Sequence, residues 1–232
     1  MEPQGAPGVP GTTDLPQPHD ATQGLAGTFA ACLGVLLLGL VALFHGTQGG
    51  SAYTTETQRR SAVAQAPQQV PDFSVVDAQG QAHTLRNFLA QGERVWIVDF
   101  IYTRCQTLCL TLGTVFQQLQ AQLQAEGLQG RVGLLSISFD PEQDRPEALA
   151  RYAQRMQMDP ALWQTLSLAN PADRRQLLDS FGIMVVPAPL GEFEHNAALH
   201  IVTSDGHLVR ILGLDESPAA VRAALALASA QP

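Results

Sequence analysis

The chain contains no lysine. All 13 basic residues are arginines, and 21 acidic side chains leave a net charge of −8. Nucleic-acid binding needs a concentrated positive surface, so this balance argues against that class of partner. Cysteine is scarce: Cys32, Cys105 and Cys109 are the whole complement. Three cysteines are too few for a disulfide-stapled scaffold, which leaves redox or metal chemistry as the use of a close pair. Charge is missing altogether from Leu25 to Phe44, and no basic segment precedes that stretch as it would in a signal peptide. No internal repeat is present.

These absences divide the chain. Residues 1–24 carry five prolines among Gly, Gln and Thr without apolar periodicity, and read as a disordered tail. Residues 25–44 form an uncharged run of twenty, about 30 Å as a helix, and read as a single transmembrane anchor. Arg59 and Arg60 lie on its C-terminal side and none on the other, a weak count that would keep the following domain in the cytoplasm. Residues 45–69 are polar and small and read as a tether. Residues 70–232 are enough for one globular core.

Within that domain, Phe73–Val76 alternates as a short strand before the turn Asp77-Ala78-Gln79-Gly80, and Leu85–Leu89 suits a helical turn. Val95–Ile101 has the length and β-branched and aromatic content of a central strand. Leu108, Leu112, Val115, Phe116, Leu119 and Leu123 then recur at helical spacing. Val132–Ser138 is a second buried strand. A helix follows, with Asp144 expected as its N-cap and Pro146 in its first turn. Trp163–Leu168 is a further strand, and Pro171–Phe181 a helix capped by Asn170 and ended by Gly182. Ala198–Thr203 and His207–Leu212 form a hairpin around Ser204-Asp205-Gly206. Pro218–Ser229 closes the chain as a helix. Strands alternating with helices, then a late hairpin and helix, imply an α/β fold with a mixed sheet flanked by helices.

Cys105 and Cys109 therefore sit between the central strand and the helix after it, where the helix dipole favours thiolate. Four residues apart on a first turn, their Cα atoms would be about 6 Å apart, which suits either a disulfide or two thiolates on one soft metal. Two buried, inert cysteines would show the same spacing. A third ligand would be a histidine: His195, in a loop, precedes a strand and can turn toward the cysteine loop, whereas His200, inside that strand, suits a satisfied core or surface position. Met184, in FGIMVV, reads as core packing. Asp140 and Asp144 follow the second strand, where loops at strand carboxyl ends surround ligand crevices, and Asp140 is a candidate to support the site from behind.

In order, PDFSVVDAQGQAHTL, DFIYTRCQTLC, SISFDPEQDRPEALARYA and EHNAALHIVTSDGHLV make the chain resemble the Sco/SenC family of membrane-anchored copper proteins. The resemblance implies a thioredoxin-like domain that holds one Cu(I) or Cu(II) through Cys105, Cys109 and His195. It implies a copper metallochaperone rather than an enzyme, which delivers copper to, or reduces the cysteines of, the dinuclear copper site of cytochrome c oxidase. The partner would be that copper-site subunit or another copper client. The domain would lie in the periplasm, anchored in the bacterial inner membrane by Leu25–Phe44, against the arginine count. Gln106 and Leu110 stand where the family has proline, Glu194 where it has aspartate, and Asn196 where it has Ser or Thr. A metal-independent thiol–disulfide oxidoreductase on the same fold is the alternative.

Overall fold

Val95–Ile101 is buried at every position, and the domain is layered around it. In the computed structural model, residues 20–46, 55–105, 108–189 and 192–229 are described, without the side chains of 20–25, 55 and 108–110. The chain divides into two units, Met1–Thr55 and Glu56–Pro232.

The first unit contains α1, Asp20–Gly46. Its segment Ala26–Gly46 is long and apolar enough to cross a membrane. Side chains such as Phe29, Leu36 and Phe44 are exposed, a state that is costly in water and favourable in lipid. Residues 1–19, including most of the expected tail, lie outside the described residues.

The second unit begins earlier than the composition implies. The stretch read as a tether contains α2 (Thr55–Gln65), followed by β1 (Gln68–Gln69). Val63 of α2 is fully buried, Arg60 reaches Glu216 at 3.1 Å, and β1 pairs with a strand near the C-terminus. A single large apolar side chain, Val63, flanked by two alanines, leaves no periodic signal, and only the tertiary contact makes this segment part of the domain.

Then come β2 (Ser74–Asp77), β3 (Ala82–Thr84), α3 (Leu85–Leu89), β4 (Val95–Ile101) and α4 (Leu108–Ala125). They are followed by β5 (Val132–Ser138), α5 (Pro146–Arg155), β6 (Trp163–Leu168) and α6 (Arg174–Phe181). The chain finishes with β7 (Val185–Pro187), β8 (Phe193–His195), β9 (Leu199–Val202), β10 (His207–Leu212) and α7 (Ser217–Ala228).

Among the described residues the main sheet runs β1-β10-β9-β4-β5-β6-β2-β3, and β7 and β8 form a separate hairpin. The central β4, β5 and β6 are parallel, and the remaining pairs are antiparallel. Trp96, Val98, Phe100 and Tyr102 join one core with Val63, Phe88, Leu178 and Phe181. Val95, Ile97 and Ile101 join the other with Phe116, Leu119, Tyr152 and Val221. Helices on both faces explain the unbroken apolar runs of the central strands. Gly133 is required by this packing, because a Cβ there would lie 2.6 Å from the Trp96 ring.

Two local expectations change. The cap position of α5 is Arg145, in extended geometry without a side-chain bond, and the Asp144 carboxylate is turned inward instead. Met184 is not core: it is 70 % exposed, while its neighbour Ile183 fills the core position. Asn170 does cap the turn before α6, and Gly182, at φ 62°, ends that helix in the left-handed conformation.

Candidate metal centre

Cys105 lies just past the end of β4, in a turn closed by its N–H and the Tyr102 carbonyl at 3.2 Å. Its side chain is buried. Cys109 falls in the first turn of α4; its side chain, and the linking residues 106 and 107, lie outside the described residues. Among the described residues no three His, Cys, Asp or Glu side chains form a metal-binding group, and the expected trio depends on Cys109 for its third member.

The turn is held from below. Asp144 accepts the Thr103 N–H at 2.8 Å, the Thr103 hydroxyl at 2.6 Å and the Ser138 hydroxyl at 2.6 Å. Burial pushes the Asp144 carboxyl above the ordinary range, against the pull of the Ser138 and Thr103 hydrogen bonds. Arg155 donates to the Thr103 carbonyl at 2.8 Å. Asp140 is buried and bonds Arg104, the residue before Cys105, at 3.0 Å, with Arg174 at 3.9 Å. Asp140 thus touches the cysteine turn through its cation.

His195 is the last residue of β8, directly opposite Val185 of β7. Its ring packs edge-on against Phe139 at 5.2 Å and Tyr102 at 6.2 Å between centroids. Nδ1 lies 3.0 Å from the Asn196 carbonyl. A carbonyl only accepts, so in the neutral ring Nδ1 carries the proton and Nε2 the lone pair. Burial lowers the imidazole pKa, opposed by the Asn196 carbonyl, and so favours that neutral ring. A metal-ligating histidine requires this state, oriented by a backbone acceptor at the other nitrogen.

Tyr102 joins the two halves. Its hydroxyl donates to Glu192 at 2.6 Å and accepts the Phe193 N–H at 3.2 Å, while its ring meets Phe193 and His195. The phenol also interacts with the Cys105 thiol; its pKa is raised, first by burial, then by Glu192 and Cys105. Asn196 fixes the other side of the hairpin: its side chain accepts the Met184 N–H at 2.7 Å and donates to the Gly182 carbonyl at 3.0 Å. A cavity of about 740 Å³ opens beside Cys105, lined also by Arg104, Arg151, Arg155 and Glu192. Of the core and surface positions open to it, His200 takes the core, with its nitrogens at 3.3 and 3.2 Å from the Val98 and Phe181 carbonyls.

Sequence reasoning overlooked Tyr102, Glu192 and the inward role of Asp144. Tyr102 and Thr103 stood inside the quoted cysteine motif, which was the available signal. Nothing local marked Glu192.

Residues 61–229 match the SCO1/SenC family. The chain belongs to that family. The match begins inside α2, in keeping with the early start of the domain. The SCO1 protein homolog of Bacillus subtilis is 29% identical over 154 residues, spanning 65% of this chain and 77% of that protein. The structure of BsSco, a member of the Sco family of cytochrome c oxidase assembly proteins in which a disulfide switch was identified, is 25% identical with a TM-score of 0.57. It covers 69% of this chain and 95% of its own. Copper-bound ScoI of Bradyrhizobium japonicum is 25% identical, with a TM-score of 0.55, over 68% of this chain and 99% of that one. The SCO1/SenC domain here has their thioredoxin-like fold, with one N-terminal helix apolar enough for a membrane span.

Proposed function

We propose that this protein binds one copper ion through Cys105, Cys109 and His195 and serves the assembly of the dinuclear copper site of cytochrome c oxidase. The observation that carries this reading is the state of His195: a neutral ring, its Nδ1 committed to the Asn196 carbonyl, packed at a steep angle against the tyrosine that also reaches Cys105. Two thiolates and an imidazole are a soft, low-coordinate set suited to Cu(I). Structural zinc takes four protein ligands and fits this donor set less well. The copper-bound relative supports the same choice of metal.

Three ligands at a domain surface leave one side of the ion open for transfer to the copper-site subunit. The same cysteines could instead reduce that subunit's thiols. This second reading is favoured by Cys105 lining an open cavity and by the disulfide switch of BsSco. A disulfide removes both thiolate ligands, so copper and the oxidised pair exclude one another. We place the domain in the periplasm, anchored by α1; protease added to spheroplasts would then digest it, and protection would put it in the cytoplasm.

Anaerobic Cu(I) titration of the whole chain in detergent, against a chromogenic chelator, tests the site. One ion per chain is expected, with binding lost in Cys105→Ser and Cys109→Ser and strongly weakened in His195→Ala. Equal affinity of wild type and His195→Ala would overturn the three-ligand reading.

A further inference from the structure

The chain is acidic overall, yet the wall around Cys105 is not. Arg104, Arg151 and Arg155 line one cavity with the cysteine, and Glu192 is its carboxylate. The charges there do not cancel internally. Arg104 shares its charge with Asp140 at 3.0 Å. Arg155 bonds a neutral carbonyl, that of Thr103, and lies over the Tyr152 ring at 5.6 Å, and among the described residues it forms no ion pair. Arg151 is exposed, and among the described residues it forms no ion pair. Two guanidiniums without an ion-pair partner among the described residues, and one carboxylate, thus line the cavity beside the Cys105 sulfur, in a volume within the range of about 300–1,000 Å³ usual for small-molecule sites.

We infer that this cavity is a binding site for a small peptide thiol bearing two carboxylates and one ammonium, the charge pattern of glutathione, acting as reductant of the cysteine pair. The inference rests on the reading that Cys105 and Cys109 cycle through a disulfide. Arg151 and Arg155 each take a carboxylate, in the forked geometry guanidinium offers, and Glu192 faces the ammonium. The thiolate of the ligand attacks Cys105 Sγ, the sulfur on the cavity wall. The Cys105–Cys109 bond breaks, a mixed disulfide forms on Cys105, and Cys109 leaves as thiolate in the first turn of α4, where the helix dipole stabilises it. A second thiol attacks the ligand's sulfur in that mixed disulfide. This forms the ligand's own disulfide and releases Cys105 as thiolate. Two thiols supply two electrons, their protons go to solvent or to the cysteines, and the pair is ready for Cu(I).

The test uses thiols of different charge on the oxidised full-length chain in detergent, with reduction followed by thiol trapping and mass spectrometry. Corrected for thiolate fraction, glutathione should react about tenfold faster than neutral 2-mercaptoethanol, and cationic cysteamine should be slowest, the scale two partly exposed ion pairs provide. Arg151→Gln should reduce the glutathione advantage about threefold, 1 M salt should suppress it, and the 2-mercaptoethanol rate should not move. An advantage that is absent, or unchanged by both Arg151→Gln and salt, overturns the site. If 2-mercaptoethanol finds no disulfide to reduce, the cycling reading fails instead. The site is then judged by S-methylglutathione binding to the reduced chain: binding weakened by Arg151→Gln upholds it, and no binding overturns it.

Discussion

The hydroxyl of Tyr102 and the carboxylate of Glu192, 90 residues apart in sequence, meet at 2.6 Å. Through this bond the cysteine turn and the histidine hairpin become one structure. Tyr102→Phe keeps the ring packing but removes the donor to Glu192 and the acceptor for the Phe193 N–H. We expect a loss of about 1–2 kcal/mol in stability by urea unfolding. Cu(I) affinity should fall about tenfold by chelator competition, as for other groups that orient metal ligands. Unchanged copper affinity would detach Tyr102 from the site.

Asp144 holds the other side of the turn. Asp144→Ala strands the Thr103 N–H and the hydroxyls of Thr103 and Ser138, all buried. The expected cost is about 2–4 kcal/mol, read from the urea midpoint. Cys105 alkylation should accelerate in the same variant as its turn loosens. A surface cap, the role its sequence position suggests, would cost only about 1 kcal/mol and leave alkylation unchanged.

Two buried groups on adjacent strands titrate against each other. Burial raises the Asp99 carboxyl to about 7, with the Ser136 hydroxyl offsetting only part. The folded state therefore holds that proton more tightly than the unfolded chain. Its contribution to stability is fully present below pH about 4 and is lost as pH rises to about 7. His200 is the reverse. Burial, with Arg59 nearby, lowers it to about 4. Its contribution is present above about 6.5 and lost as pH falls toward 4. The two opposed slopes amount to about 4 and about 3 kcal/mol over overlapping windows, so in the wild type they largely offset one another. Asp99→Asn removes the falling limb, and its stability should climb with pH between 4 and 6.5. Parallel profiles for wild type and Asp99→Asn in urea melts at stepped pH would contradict this pairing.

The helix before β1 belongs to the domain. Val63 is fully buried, and Val63→Ala should cost about 1–2 kcal/mol. A fragment of residues 70–232 should melt well below one of residues 56–232. Equal melting temperatures would return α2 to the role of a tether.

Much of the proposed site rests on signals that are local in the sequence. The apolar run Val95–Ile101 and the helical spacing after Leu108 fix the strand and helix, and so put Cys105 and Cys109 at their junction. His195 was marked as a candidate ligand by its place before β9 and by the family motif around it, and its role as a ligand belongs to the proposal. The contacts that support these residues were not legible. Thr103 meets Asp144 across 41 residues and Tyr102 meets Glu192 across 90, and neither separation leaves a periodicity to read.

The sequence by itself determined the alternation of strands and helices, the uncharged span, the cysteine pair and the family. These follow from side-chain period, composition and short motifs, which act within a few residues. The tertiary structure alone decided that α2 packs on the core and that Asp144 turns inward. It also decided that His195 has its Nδ1 held by the Asn196 carbonyl, and that three arginines gather around Cys105 in an acidic chain. Each of these depends on which distant groups share a desolvated space, and burial and hydrogen-bond geometry set that only once the sheet has closed.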